Sequence, residues 1–113
     1  MSKSIEHTVK NCSLLLLFLF LILLQKHFDR TTNDQLRRAS FSIMLNIAEG
    51  SGRYSKADKR HFYVISRGST FECVAIFDYL KGIGAISEET FVKFYADLGE
   101  LSRTLFLMIK SLS

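Results

Sequence analysis

Four apolar-periodic segments separated by short polar or Gly-containing connections predict an all-α chain, an antiparallel up-down-up-down four-helix bundle. Three observations carry this. None of the 113 residues is proline, so no helix is broken by one. Apolar residues make up 48% of the chain and recur every three or four positions. Breaks in that recurrence coincide with glycine stops or with Ser, Thr, Asn or Asp starts. At this length the chain reads as a single domain, residues 1–113, able to bury one modest core.

The first helix is placed at about 5–28. Its centre, Leu14 to Leu24, is an unbroken apolar run. As a helix that run spans roughly 16 Å, about half the hydrocarbon thickness of a bilayer, so no stable membrane span is expected. Lys3 and Lys10 precede it as in a signal peptide, but Gln25-Lys26-His27-Phe28 offers no small-residue cleavage site. A helix apolar all round needs cover on more than one face, which points to a subunit interface and a homo-oligomer.

The second helix is placed at 33–50, after a polar connection in which Thr32, Asn33 or Asp34 serves as cap. Leu36, Ala39 or Ser40, Ile43 and Ile47 form its stripe, with Phe41, Leu45 and Ala48 widening it. Gly50 and Gly52 stop it. The third helix, 55–81, opens on Ser55 with Asp58 three residues on, a capping-box spacing. Phe62, Ile65, Ser66, Ser69, Cys73, Ile76 and Leu80 follow the helical period until Gly82 and Gly84. The fourth helix, 87–111, has Ser87 as cap and Glu88 and Glu89 in its first turn. Phe91, Phe94, Leu98, Leu101, Leu105, Met108 and Leu112 give a 3–4 repeat.

The net charge is +4, with the basic excess densest from Arg53 to Arg60. Arg53, Lys56, Lys59 and Arg60 surround a turn and a helix start, where backbone N–H groups already favour anions. Arg37 and Arg38 extend that surface if the bundle brings their helix alongside. Tyr54 and Tyr63 can stack on bases or pack internally. No base-reading motif is present, so binding of structured RNA would be to backbone and shape. A solvated face is the competing reading of the same charges.

Arg67 sits in a helix that is apolar on several sides, and a guanidinium there calls for a carboxylate. Glu49 and Glu72 are the candidates for a structural ion pair. Gly68 beside it implies close helix approach, with Ser66 and Ser69 as small neighbours. Asn46 reads as a satisfied polar group within an apolar helix.

Enzyme chemistry lacks its usual signatures. There is no Gly-rich phosphate loop, no His-x-x-x-His and no Glu-x-x-His; no metal or cofactor is expected. Cys73 has no activating basic neighbour. Cys12 and Cys73 read as small buried residues of a reducing compartment, which places the protein in the cytoplasm.

Gln35, Arg37, Arg38, Ser42, Ile43, Asn46-Ile47-Ala48-Glu49-Gly50, Gly52-Arg53, Ser55-Lys56, Phe62, Ile65, Arg67-Gly68-Ser69 and Glu72 together form a recognisable pattern. It resembles the four-helix-bundle proteins encoded in intervening sequences of large-subunit ribosomal RNA, a family that includes the accessory protein of diversity-generating retroelements. The chain departs from the pattern at Met44, at Ser66 and in its unusually apolar first helix. The resemblance implies a homopentameric ring or barrel, a role with RNA, and, for the retroelement member, partnership with a reverse transcriptase and its template. The reading that follows is a non-enzymatic oligomeric bundle binding structured RNA through a basic surface. The alternatives are a structural or protein-interaction bundle without a nucleic-acid ligand, and a membrane-associated module using residues 14–24.

Overall fold

A computed structural model describes residues 28–113. Among these residues the chain is all-α, with three helices and no strand: α1 (Arg30–Ser51), α2 (Lys56–Gly82) and α3 (Glu88–Ser111). The helix placed at about 5–28, and with it the fourth member of the expected bundle, lies outside the described residues except for Phe28, which is not helical.

α2 is the central element. α1 and α3 each pack along it and not on each other. Cross-helix contacts run in opposite directions along each pair, so both pairs are antiparallel. Tyr63 meets Ser51, Ser66 meets Ile43 and Cys73 meets Ser40. On the other side Arg60 meets Leu112, Arg67 meets Ser102, and Phe77 stacks on Phe94 with ring centroids 4.6 Å apart.

α1 starts earlier than its sequence suggests. Its cap is Asp29, not Thr32, Asn33 or Asp34. The Asp29 carboxylate accepts from the Thr32 backbone N–H at 2.9 Å and from the Thr32 hydroxyl at 2.6 Å. These hydrogen bonds hold its carboxyl below the usual carboxylate range. The segment Arg30–Asn33, polar throughout, is therefore the first turn of a helix rather than a connection. Ser55 and Ser87 cap α2 and α3 in the same way, accepting from Asp58 N–H and Thr90 N–H.

Leu36, Ala39, Ile43 and Ile47 are buried, whereas Phe41, Leu45 and Ala48 face out and do not widen the stripe. In α2 the buried positions are Tyr63, Ser66, Ser69, Thr70, Cys73, Phe77 and Leu80. Ile65 is exposed, Ile76 packs at the edge of the core, and Phe62 is half-buried outside it. The buried face is thus turned toward Tyr63 and Phe77, because α2 must meet a neighbour on each flank. α3 buries Phe94, Leu98, Leu101, Ser102 and Leu105.

Hydroxyls line the α1–α2 contact. The Ser66 hydroxyl, fully buried, donates to the Ile43 carbonyl at 2.7 Å, and the Ser69 hydroxyl donates to that of Ser42 at 2.7 Å. Asn46 is satisfied locally, donating to the Ser42 carbonyl and hydroxyl. Small side chains here let the helices approach closely, and each buried hydroxyl has a partner.

Two glycines take roles other than those their positions suggest. Gly50 does not stop α1. It lies inside the helix, where a Cβ would come within 2.7 Å of the Tyr63 ring and 3.2 Å of the Lys59 carbonyl. Gly68, expected at a close helix contact, is exposed, with open space around its Cβ direction. The end of α2 is a Schellman motif: Ala85 N–H bonds to Leu80 O, Gly84 N–H bonds to Lys81 O, and Gly84 has φ +75°.

These placements separate the two glycines experimentally. Gly50→Ala should lose about 1–3 kcal/mol by overpacking against a ring that is itself buried. Gly68→Ala should gain about 0.5–1 kcal/mol in a dilute monomer, through helix propensity. Urea unfolding of both variants at low protein concentration checks the pair.

Candidate nucleic-acid interface

The basic residues nominated by sequence do not form one patch. Arg37 and Arg38 are exposed on α1, about 20 Å along the helix from the α1–α2 turn. In this antiparallel pair they lie level with the C-terminal half of α2, not with Arg53 to Arg60. The structure does not bring the two sets together.

At the turn itself, three of the four nominated cations have partners. Arg53 pairs with Glu49 one turn back in α1, and its guanidinium lies over the Phe62 ring, 4.8 Å from the centroid. Lys59 Nζ donates to the Ser51 carbonyl at 3.2 Å, tying α2 to the last turn of α1. Arg60 donates to the Leu112 carbonyl at 3.3 Å, placing a cation at the C-terminus of α3 where the helix dipole favours it. Lys56 is exposed in the first turn of α2. These bonds hold three helix ends in register and leave the charges at the surface.

Arg67 does not pair with Glu49 or Glu72. Glu49 is engaged by Arg53, and Glu72, five residues beyond Arg67, emerges on a different side of α2 and is exposed. Instead the Arg67 guanidinium reaches α3, donating from Nε to the Ser102 carbonyl at 3.2 Å. It also lies over Phe71 and Phe106, at 4.9 and 5.3 Å from the ring centroids. This is a cation clamped between two half-exposed aromatic rings, bridging α2 and α3.

The two tyrosines nominated for stacking divide sharply. Tyr63 is 2% exposed and its hydroxyl lies 3.3 Å from that of Ser51, so it is a core residue. Tyr54 is fully exposed on the turn. Beside it a concavity of about 570 Å³ is lined by Glu49, Gly52, Arg53, Tyr54 and Asp58, among others.

Sequence reading missed the contribution of α3. Arg103 and Lys110 are exposed on the half of α3 that lies beside the N-terminal half of α2. With Arg53, Lys56, Lys59, Arg60 and Arg67 they make the turn end of the molecule basic, against Glu49, Asp58 and Glu100. Among the described residues the opposite end carries the larger acidic set, Asp29, Asp34, Glu72, Asp78, Glu88, Glu89 and Asp97, offset in part by Arg30, Arg37, Arg38, Lys81 and Lys93, so that its acidic excess is slight. Only the antiparallel pairing reveals this axial division, because along the chain the two sets are interleaved.

Residues 13–106 match the family model of the 23S rRNA-intervening sequence protein. The chain belongs to this family. It is also similar to the crystal structure, at 1.70 Å resolution, of a protein with unknown function from the S23 ribosomal protein family of Bacteroides thetaiotaomicron VPI-5482. The two share 24% sequence identity over 95% of each chain, with a TM-score of 0.78, a likeness of fold. No curated protein matches.

Other chemistries find little footing. Among the described residues, no group of three or more His, Cys, Asp or Glu is placed to hold a metal ion. Cys73 is a free thiol, buried, 3.9 Å from the Ser40 hydroxyl; burial pushes it up to about 11, far from a reactive thiolate. No helix among the described residues is long and apolar enough to cross a membrane.

The Arg67 clamp has a measurable consequence. Arg67→Ala should cost about 1–2 kcal/mol, the scale of one hydrogen bond from a charged donor plus exposed cation–π contacts. A broken buried ion pair would cost about 3–5 kcal/mol. Combined with Glu49→Gln, the two effects should simply add in a urea-unfolding cycle, since the side chains share no partner.

Proposed function

We propose that this protein is a non-enzymatic helical bundle that binds structured RNA through the basic end formed by the α1–α2 turn and the C-terminal half of α3. The observation that carries this reading is the axial division of charge. A field concentrated at one end attracts a polyanion in a defined orientation, whereas scattered charges would only solvate. Arg53, Lys59 and Arg60 are anchored at helix ends, so their charges stand in fixed positions without losing side-chain entropy on binding. Arg37 and Arg38 lie outside this site. Contacts of this kind read backbone and shape rather than sequence.

The proposed working form is a cytoplasmic homo-oligomer, a pentameric ring, in which identical basic ends lie side by side and weak sites combine. Within a retroelement such an assembly would serve as accessory to a reverse transcriptase, holding its template RNA.

The RNA reading predicts binding of a folded RNA hairpin that weakens steeply with added salt, as counterion release requires. Replacing Lys56, Arg103 and Lys110 together with Ala should reduce affinity and flatten the salt slope without lowering the melting temperature, because none of them anchors a helix. Filter binding across salt concentrations checks this. Equal affinity of the triple variant at physiological salt would place the interface elsewhere.

A protein-interaction bundle is the second reading, and it has an observation of its own. Ala57, His61, Val64, Gly68, Phe71 and Ala75 are all exposed and follow one another at 3–4 spacing along the outer side of α2. Phe106 and Tyr95 of α3 are exposed as well. A contiguous small and apolar stripe on the central helix suits contact with another chain. Phe71→Glu should lower the mass measured by light scattering at micromolar concentration. An unchanged mass would remove this stripe from the assembly.

A further inference from the structure

Tyr54 has no internal packing role to explain it: its side chain is entirely exposed, on a segment whose backbone is held on both sides. Before it, Gly52 N–H bonds to the Ala48 and Glu49 carbonyls, and Arg53 N–H bonds to that of Gly50. After it, Ser55 caps α2. The ring is therefore presented from a fixed turn, at the edge of the concavity of about 570 Å³. The concavity is open to solvent, every residue that lines it being exposed, so it suits a flat group laid against its wall rather than an enclosed ligand.

The chemistry of the walls is specific. Arg53, held against Glu49 and the Phe62 ring, supplies a fixed guanidinium, and unpaired bases stack on aromatic rings and on guanidinium planes alike. The carboxylates of Glu49 and Asp58 at the same cavity oppose entry of a phosphate but accept hydrogen bonds from base N–H groups. Lys56, two residues beyond Tyr54 and exposed in the first turn of α2, supplies a cation for the adjoining phosphate.

We propose that this cavity is a nucleobase subsite that takes one unpaired guanine of the RNA, stacked on Tyr54. Guanine is favoured because its Watson–Crick edge offers two adjacent donors, N1–H and N2–H, which suit a single carboxylate. The proposal rests on the RNA-binding reading and adds to it a preference for loops over continuous duplex.

The test uses the full chain and three RNAs with identical stems: a hairpin with a guanine in its loop, the same hairpin abasic at that position, and the closed duplex. Wild type should bind the guanine hairpin about tenfold more tightly than the abasic one, the loss expected for one stacked base. Tyr54→Ala should abolish that difference while leaving duplex binding and its salt slope unchanged, and Tyr54→Phe should restore it. Asp58→Asn should reduce the preference for guanine over adenine in the loop. If wild type binds the guanine and abasic hairpins equally, or if Tyr54→Ala keeps the preference, the cavity is not a base site, though the RNA reading stands. If wild type binds none of the three, the RNA reading fails and the subsite falls with it.

Discussion

The close approach of α1 to α2 is the constraint on which the rest of this structure depends. It requires Gly50 where α1 meets the Tyr63 ring, since any Cβ there would collide. It also requires small residues further along, where the buried Ser66 hydroxyl bonds directly to the Ile43 carbonyl and Ser69 bonds to Ser42. A side chain bulkier than Ser66 would need space that this helix spacing does not leave, since its hydroxyl already lies 2.7 Å from the Ile43 carbonyl. Once α1 is fixed, the turn from Gly52 to Ser55 is short, bonded to α1 through the Gly52 and Arg53 N–H groups, and the N-terminus of α2, capped by Ser55, is positioned with it. Through Arg60 and Arg67, α2 then fixes α3.

This arrangement explains why the most patterned stretch of the sequence, Asn46 to Glu72, is largely a packing device. Asn46 bonds within α1, Gly50 admits Tyr63, Arg53 ties to Glu49, and Arg67 bridges to α3. The cations do two things together. They close helix ends by donating to carbonyls, and they leave positive charge at the surface in places that the fold determines. A carbonyl hydrogen bond uses the donor geometry of Lys59 or Arg60 without neutralising its charge, so anchoring and polyanion attraction do not compete.

Much of the α3 core was legible in the sequence, because Phe94, Leu98, Leu101 and Leu105 follow a regular 3–4 spacing, although Val92, Tyr95, Phe106 and Leu107 are apolar residues that the same helix leaves exposed. The core of α2 was harder to read. That helix is flanked on both sides, so its buried arc is broad and includes Tyr63, Ser66 and Thr70, residues whose polarity hides their burial. The start of α1 was obscured because Arg30–Asn33 is wholly polar, and only the side-chain bond of Asp29 to Thr32 marks the boundary. Of the partners of Arg67 only Phe71, four residues on in the same helix, could be read from the sequence. A backbone carbonyl and a ring from α3 leave no signature near residue 67, whereas Glu49 and Glu72 are visible carboxylates nearby. The basic end was half legible: the density of charge from Arg53 to Arg60 shows in the chain, but Arg103 and Lys110 join it only through antiparallel pairing.

The most direct test of the account is amide chemical-shift mapping of the isotope-labelled chain titrated with a folded RNA hairpin. The account predicts that perturbations concentrate at Gly52–Arg60 and over the C-terminal half of α3, from about Ser102 onward. The acidic end around Asp29 and Glu88 should stay unchanged. Perturbations centred on Arg37 and Arg38, or on the Val64–Ala75 face of α2, would contradict it.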